Sequence, residues 1–174
     1  MPVEVRGALA GRTRELARVA REVEALAQVG VRVDSAPASV GFPLEPNTWI
    51  ANGDGEALWL GPDEWLIVGS PGTEDSISKD LERALTGLPH SVVDVSAARA
   101  ILEVELAVRL DLLPQGCSID LHPRSWREGM CAQTLLARVP VIIQERETGT
   151  RIFVRPSFAN YLVDWFVHVA GVRP

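Results

Sequence analysis

Between residues 100 and 106 apolar and acidic side chains alternate, with Leu102, Val104 and Leu106 set against Glu103 and Glu105. Successive side chains of a strand point to opposite faces, so this pattern predicts a strand with one dry side and one wet side. Strands of all-parallel sheets are covered on both faces and read as unbroken apolar runs, so a half-wet strand predicts an antiparallel sheet. The dry face needs a cover, and the C-terminal stretch offers one. Phe158, Tyr161, Leu162, Trp165, Phe166 and Val169 recur at helical spacing behind Pro156, a residue suited to a first helical turn. The predicted class is α+β, an antiparallel sheet with helices packed on one face.

The remaining elements follow from turn chemistry and periodicity. Asn52-Gly53-Asp54-Gly55 and Gly61-Pro62-Asp63-Glu64 bracket apolar runs and predict a hairpin over residues 57–68. Thr73 can cap a helix over 74–86, with Glu74 and Asp75 in its first turn and Gly87 and Pro89 as stops. Residues 107–113 suit a short helix, and 91–95, 131–137, 140–144 and 151–154 suit strands. Residues 12–29 read as an amphipathic helix. Leu16, Val19, Ala20, Val23, Leu26 and Ala27 would face inward and Arg14, Arg18, Arg21 and Glu22 outward, with Gly30 as terminator. A proline-bearing arm follows, with one short strand near residues 31–33. The expectation is one α+β domain over 1–174, in which one sheet is built from 57–68, 91–106 and 131–154, and residues 1–40 supply the first helix and the arm.

The stretch from Gly116 to Met130 interrupts this regular pattern. Pro123 lacks a donor and Gly129 lacks a side chain to bury, so it predicts a shaped loop, and long loops in compact domains are mostly functional or contact surfaces. Trp126 lies among His122, Arg124 and Arg127, and tryptophan and arginine are the residue types most often found as binding hot spots. His122, Arg124, Trp126 and Arg127 are therefore the candidate partner-interface residues. The plainer alternative is that Trp126 folds back and plugs the core.

Charge and motifs narrow the chemistry. A net charge of −6 argues against a phosphate-backbone partner. No apolar run reaches a membrane span, and the first ten residues lack a secretory pattern, so a cytoplasmic protein without membrane or nucleic-acid partners is expected. Cys117, His122 and Cys131 match no structural zinc spacing and have no fourth ligand nearby, so two reduced thiols and no metal are expected. Neither a nucleophile elbow, nor a Walker loop, nor a dinucleotide fingerprint occurs. Asp63 and Glu64 read as turn residues rather than an acid–base pair. No catalytic, cofactor-binding or metal-binding residue is predicted in this chain.

Three longer words point further. Leu58-Trp59-Leu60-Gly61-Pro62-Asp63-Glu64-Trp65-Leu66, Gly116-Cys117-Ser118-Ile119-Asp120-Leu121-His122-Pro123 and Cys131-Ala132-Gln133-Thr134-Leu135-Leu136-Ala137-Arg138 resemble the gamma subunits of heterotetrameric sarcosine oxidases. Val154-Arg155-Pro156-Ser157-Phe158-Ala159 is similar to a further word of that family, and the whole resembling region is 41–174. Where the family's strand runs into a Gly-Pro pair, Leu106-Ala107 stand here. The resemblance implies a shortened relative of the folate-binding module of the glycine-cleavage aminomethyltransferase. It would act as a non-catalytic accessory subunit in a bacterial complex that oxidatively demethylates sarcosine. That complex would use FAD, FMN, NAD and tetrahydrofolate, none of them held by this chain. Its partners would be alpha, beta and delta subunits, with alpha in direct contact. Two other readings stand beside it: a stand-alone folate-binding or aminomethyltransferase-like protein, and a homo-oligomer whose docking surface closes on itself.

Overall fold

The computed structural model describes residues 9, 11–12, 16–17, 19–23, 26–34, 37 and 40–171. They divide into two compact units, one drawn from Met1–Glu24, Ala98–Glu128 and Gln133–Pro174, the other from Ala25–Ala97 and Gly129–Ala132. Among the described residues the strands are β1 (Arg21–Val23), β2 (Ala27–Val33), β3 (Trp49–Asn52), β4 (Gly55–Gly61), β5 (Glu64–Gly69), β6 (His90–Asp94), β7 (Ala100–Glu105), β8 (Cys131–Leu136), β9 (Val139–Arg146) and β10 (Gly149–Val154). The α-helices whose full span is described are α1 (Glu74–Ala84), α2 (Leu106–Leu112) and α3 (Pro156–Val169). The α+β class holds, and the strands paired below run antiparallel. The strands expected to share one sheet are instead dealt into two, ordered β1-β7-β10-β9-β8 and β3-β4-β5-β2-β6. Among the described residues no helix is long and apolar enough to cross a membrane.

In the second of these sheets the strand β2, between β5 and β6, corrects the C-terminal part of the helix predicted over 12–29, whereas Leu16 keeps a helical backbone and its carbonyl accepts the Ala20 N–H at 2.8 Å. Val29, Val31 and Val33 are all buried, a period of two, and β2 pairs with β5 on one side and β6 on the other. Valines stiff at χ1 flank Gly30, a poor helix former, and two strand neighbours satisfy the backbone, so the extended form wins over a weak 3.6-residue pattern. β1 lies inside the same predicted helix and pairs with β7. Arg14 and Arg18 of that expectation lie outside the described residues. The predicted hairpin is present as β4 and β5, with Pro62 and Asp63 at its turn. The Asp63 and Glu64 carboxylates meet Arg32 at 3.2 and 2.7 Å, which makes them turn anchors.

The predicted helix over 74–86 appears as α1, which packs on β2 and β6 and buries Leu81, with Leu85 buried just past its end. Thr73 does not cap it through its side chain, because the hydroxyl donates to the Ser70 carbonyl at 2.7 Å. Close approach is possible because β5 ends on Gly69, where a Cβ would stand 2.5 Å from Ile77 Cδ1. Behind them Trp65 stacks on Phe42, centroids 5.1 Å apart, and its indole N–H donates to the Pro43 carbonyl at 2.9 Å.

In the other sheet, the strand predicted over 100–106 ends at Glu105, and Leu106 opens α2. Leu102 and Val104 are buried as expected, but Glu103 is buried too. Its neighbours in register are Arg21 and Arg151, its Oε1 takes Arg21 Nη2 at 3.0 Å, and the Thr148 hydroxyl donates to it. Alternation along one strand cannot reveal a counter-charge that arrives from the next.

The last helix starts at Pro156 as predicted, yet its buried face is Ala159, Leu162, Val163 and Phe166. Phe158 and Tyr161 are exposed, and Tyr161 keeps its hydroxyl at a wet edge, donating to the Ala137 carbonyl at 3.0 Å. The small Ala159 lets the helix sit closer than an aromatic row would allow.

Two measurements test this packing. Phe166→Ala should lose about 3–5 kcal/mol in chemical unfolding, whereas Phe158→Ala should stay within about 0.5 kcal/mol of the parent. His90 places Nδ1 2.7 Å from the Leu88 carbonyl and Nε2 2.9 Å from a Glu82 carboxylate oxygen. Two acceptors favour the imidazolium, so the His90 pKa is raised, first by the Leu88 carbonyl and then by Glu82. Stability from these contacts is full below about pH 6.5 and is lost as pH rises through the higher folded pKa. An NMR titration should place His90 above the free-histidine value, with Glu82→Gln lowering it part of the way.

Candidate functional site

Following α2, Leu113–Gln115 makes a 3-10 turn and the chain then runs irregularly to β8. Asp120 organises the middle of this loop. Its carboxylate accepts the His122 backbone N–H at 2.9 Å, and the backbone N–H groups of Ser125 and Trp126 return to the His122 carbonyl at 2.8 and 2.9 Å. The Asp120 carboxyl is held below its usual range by the His122 N–H first and the Ser125 hydroxyl second, with smaller help from the charges of His122 and Arg124. The turn is therefore firmest with Asp120 ionised and loosens as pH falls through that lowered pKa. At the loop's end, Gly129 accepts the Trp49 N–H at 2.8 Å and Met130 bridges to Thr48.

Beneath the loop lies a buried charge. Glu145 projects from β9 with 2% of its surface exposed, and its Oε1 stands 2.8 Å from Nε of Arg109, which is itself 4% exposed. The Glu145 Oε2 accepts the Trp126 indole N–H at 3.0 Å and the Thr150 hydroxyl. Arg109 also sends Nη1 toward the Leu121 carbonyl at 3.4 Å. One carboxylate thus ties together helix α2, the loop and strands β9 and β10. An ionised side chain can be buried only with such partners, so each contact also fixes the element that brings it.

The predicted interface residues separate accordingly. His122, Arg124 and Arg127 are exposed, and the His122 Nδ1 accepts the Arg124 backbone N–H at 3.2 Å. Trp126 is 3% exposed and plugs the interior, so it shapes the loop from below and does not present its ring outward. Beside the exposed residues runs a cleft of about 560 Å³, lined by Leu110, Pro114, Ile119, Asp120, His122 and Pro123 among others. Sequence reasoning missed Arg109 and Glu145. The available signal was weak, because Arg109 shares its run with Asp111 and Glu145 is followed by Arg146 and Glu147, so each reads equally well as an outward residue.

The cysteines play no part in this cluster. Both are free, and Cys131 is buried with its thiol 3.1 Å from the Thr48 carbonyl and 3.4 Å from that of Trp59. Burial pushes the Cys131 thiol up to about 12, so it carries almost no thiolate near neutrality. Among the described residues no group of three or more His, Cys, Asp or Glu side chains is placed to hold a metal ion. A separate cavity of about 390 Å³ lies in the other unit, with Asn52, Asp54, Ser76 and Asp80 around Ile77 and Leu81. Its lining carries carboxylates and hydroxyls but no basic side chain, which is the wrong charge for the carboxylate tail of a folate.

The fold matches that of the glycine cleavage system aminomethyltransferase T from Bartonella henselae, with a TM-score of 0.62 at 13% identity over 90% of this chain and 48% of that one. That likeness is one of fold alone, an α+β fold shared with part of that chain. The model of the sarcosine oxidase, gamma subunit family matches residues 35–171, and the chain belongs to that family. It is 34% identical over 160 residues to the sarcosine oxidase subunit gamma of Corynebacterium sp. (strain P-1), covering 84% of this chain and 77% of that one. With the corresponding subunit of Arthrobacter sp. it shares 32% over 160 residues, 86% and 78% of the two chains. A chain of the heterotetrameric sarcosine oxidase from Corynebacterium sp. U-96, solved in complex with pyrrole 2-carboxylate, superposes with a TM-score of 0.85 at 27% identity, covering 95% of this chain and 94% of that one.

The buried cluster makes a sharp test. Glu145→Ala should cost about 3–5 kcal/mol in urea unfolding because it strands the Arg109 charge, while Arg109→Met with Glu145→Gln should recover most of that loss. A loss below about 1 kcal/mol in the single variant would show that the pair is not the anchor.

Proposed function

We propose that this chain is the accessory, non-catalytic subunit of a heterotetrameric sarcosine oxidase. The observation that carries the reading is the match to a chain of such an oxidase over nearly the full length of both. Its partners are alpha, beta and delta subunits, with alpha in direct contact, and the complex works in the cytoplasm. Sarcosine is oxidatively demethylated on the flavins of the other subunits, and FAD, FMN, NAD and tetrahydrofolate are held there rather than here. Support within this chain comes from its chemistry: a deeply protonated thiol, carboxylates tied to arginines, and a loop built on a rigid buried cluster. The exposed His122, Arg124 and Arg127 side chains form the contacting edge of that loop, and Trp126 positions it from inside.

The stand-alone folate or aminomethyltransferase reading is weaker. The chain spans 48% of the aminomethyltransferase it superposes on, and likeness of fold does not carry an activity.

Co-production with the alpha, beta and delta chains should yield a complex that retains this chain through purification. The chain alone should be colourless, produce no peroxide from sarcosine and give no heat with tetrahydrofolate in calorimetry. Replacing Arg124 and Arg127 together with alanine should weaken its retention about tenfold or more. A flavin spectrum or sarcosine-dependent peroxide from the isolated chain would defeat the reading.

A further inference from the structure

The short helix α2 buries Arg109 beside Leu112 and leaves two of its leucines half exposed. Its arginine, Arg109, is 4% exposed, while Leu106 and Leu110 are 48% and 44% exposed. An isolated soluble chain normally does the reverse, since leucines gain from burial and a guanidinium is seldom buried without strong cause. The cause is Glu145, which draws Arg109 inward, while Leu106 and Leu110, about 60° and about 100° round the helix from it, stay half exposed at its flank. Four residues apart, these leucines stand one above the other as a ridge. Leu110 also lines the cleft of about 560 Å³, together with Pro114, Ile119, Leu121 and Pro123 and the polar Asp120 and His122. Ridge and cleft share Leu110 and make one mainly apolar strip that carries Asp120 and His122, with the exposed Arg124 two residues further along the chain.

We propose that this strip is the seat for an amphipathic helix of a different chain in the assembly, a surface that rests on the subunit reading above and specifies it. A ridge of leucines one helical turn apart bordering a groove is the complement of a helix packed ridge into groove. Charge favours a chain of other sequence over a second copy. This chain carries a net charge of −6, so self-association brings like-charged bodies together, whereas the exposed guanidinium of Arg124 suits a carboxylate on a partner. The strip also adjoins the loop edge already assigned to docking, so one surface serves both.

The test uses the full chain co-produced with the other three subunits. Leu106→Gln with Leu110→Gln should leave the free chain's thermal midpoint nearly unchanged, because both side chains are exposed, and should lower its recovery in the purified complex by about tenfold or more. Independently, hydrogen exchange across residues 106–123 of the unaltered chain should be slower in the complex than in the free chain. If the double variant assembles like the parent and exchange over 106–123 does not change, the strip is not the seat, although the subunit reading stands. If the unaltered chain never enters the complex, the subunit reading falls and the seat with it. A concentration-dependent dimer in light scattering that the double variant abolishes would assign the strip to a second copy and overturn the proposed occupant. Should the variant lose thermal stability, the exchange comparison decides alone.

Discussion

A carboxylate taken out of water must be answered by donors, and in this chain Glu145 is answered from three directions. The Arg109 guanidinium, the Trp126 indole and the Thr150 hydroxyl belong to a helix, a loop and a neighbouring strand. A buried pair of this kind is weak evidence for net stability, since desolvation offsets much of the attraction. Its consequence is specificity of arrangement. Any alternative placement of α2 or of the loop leaves a charge buried without its partner, so competing packings are penalised more than the native one is rewarded.

That logic recurs one strand away. Glu103 meets Arg21 from β1 and lies in register with Arg151 of β10, so β7 is fixed by charge on one side of its backbone and by Leu102 and Val104 on the other. The second unit takes a different route. Its core is aliphatic and aromatic, with Phe42 stacked on Trp65 and α1 drawn close over Gly69. Its charged residues, Arg32 with Asp63 and Glu64, stay at the rim, where such pairs contribute little.

How far the sequence foretells this follows from which forces are local. Turn chemistry and helix spacing are local, and β4, β5, α1 and α3 stand where Pro62, Gly87 and Pro156 put them. The region of residues 12–29 misleads because Leu16, Val19, Ala20, Val23, Leu26 and Ala27 make a helical stripe that runs straight into the alternation of Val29, Val31 and Val33, and only pairing with β5 and β6 decides where the strand begins. The split into two sheets is likewise a matter of partners that no window contains. In the loop, Trp126 carries the right residue type for a hot spot, but its orientation is set by Glu145, nineteen residues further along. Arg109 and Glu145 were invisible for the same reason. Each looks like a wet-face charge until the other is brought beside it.

The buried arginine of α2 shows how an internal constraint can make an external surface. A seven-residue helix has room for one committed face, and in α2 that face carries Arg109 together with Leu112. Burying Leu112 and Arg109 together sets that face inward while the helix contacts β7 and β10, and the helix geometry then leaves Leu106 and Leu110 at its flank. Leaving two leucines half in water forgoes roughly 1–3 kcal/mol of burial, since only part of each side chain is involved. A chain that serves alone gains nothing from that loss. A chain whose working state is a complex recovers it on assembly, so an accessory subunit is the setting in which an arginine-in, leucine-out helix costs nothing in the end.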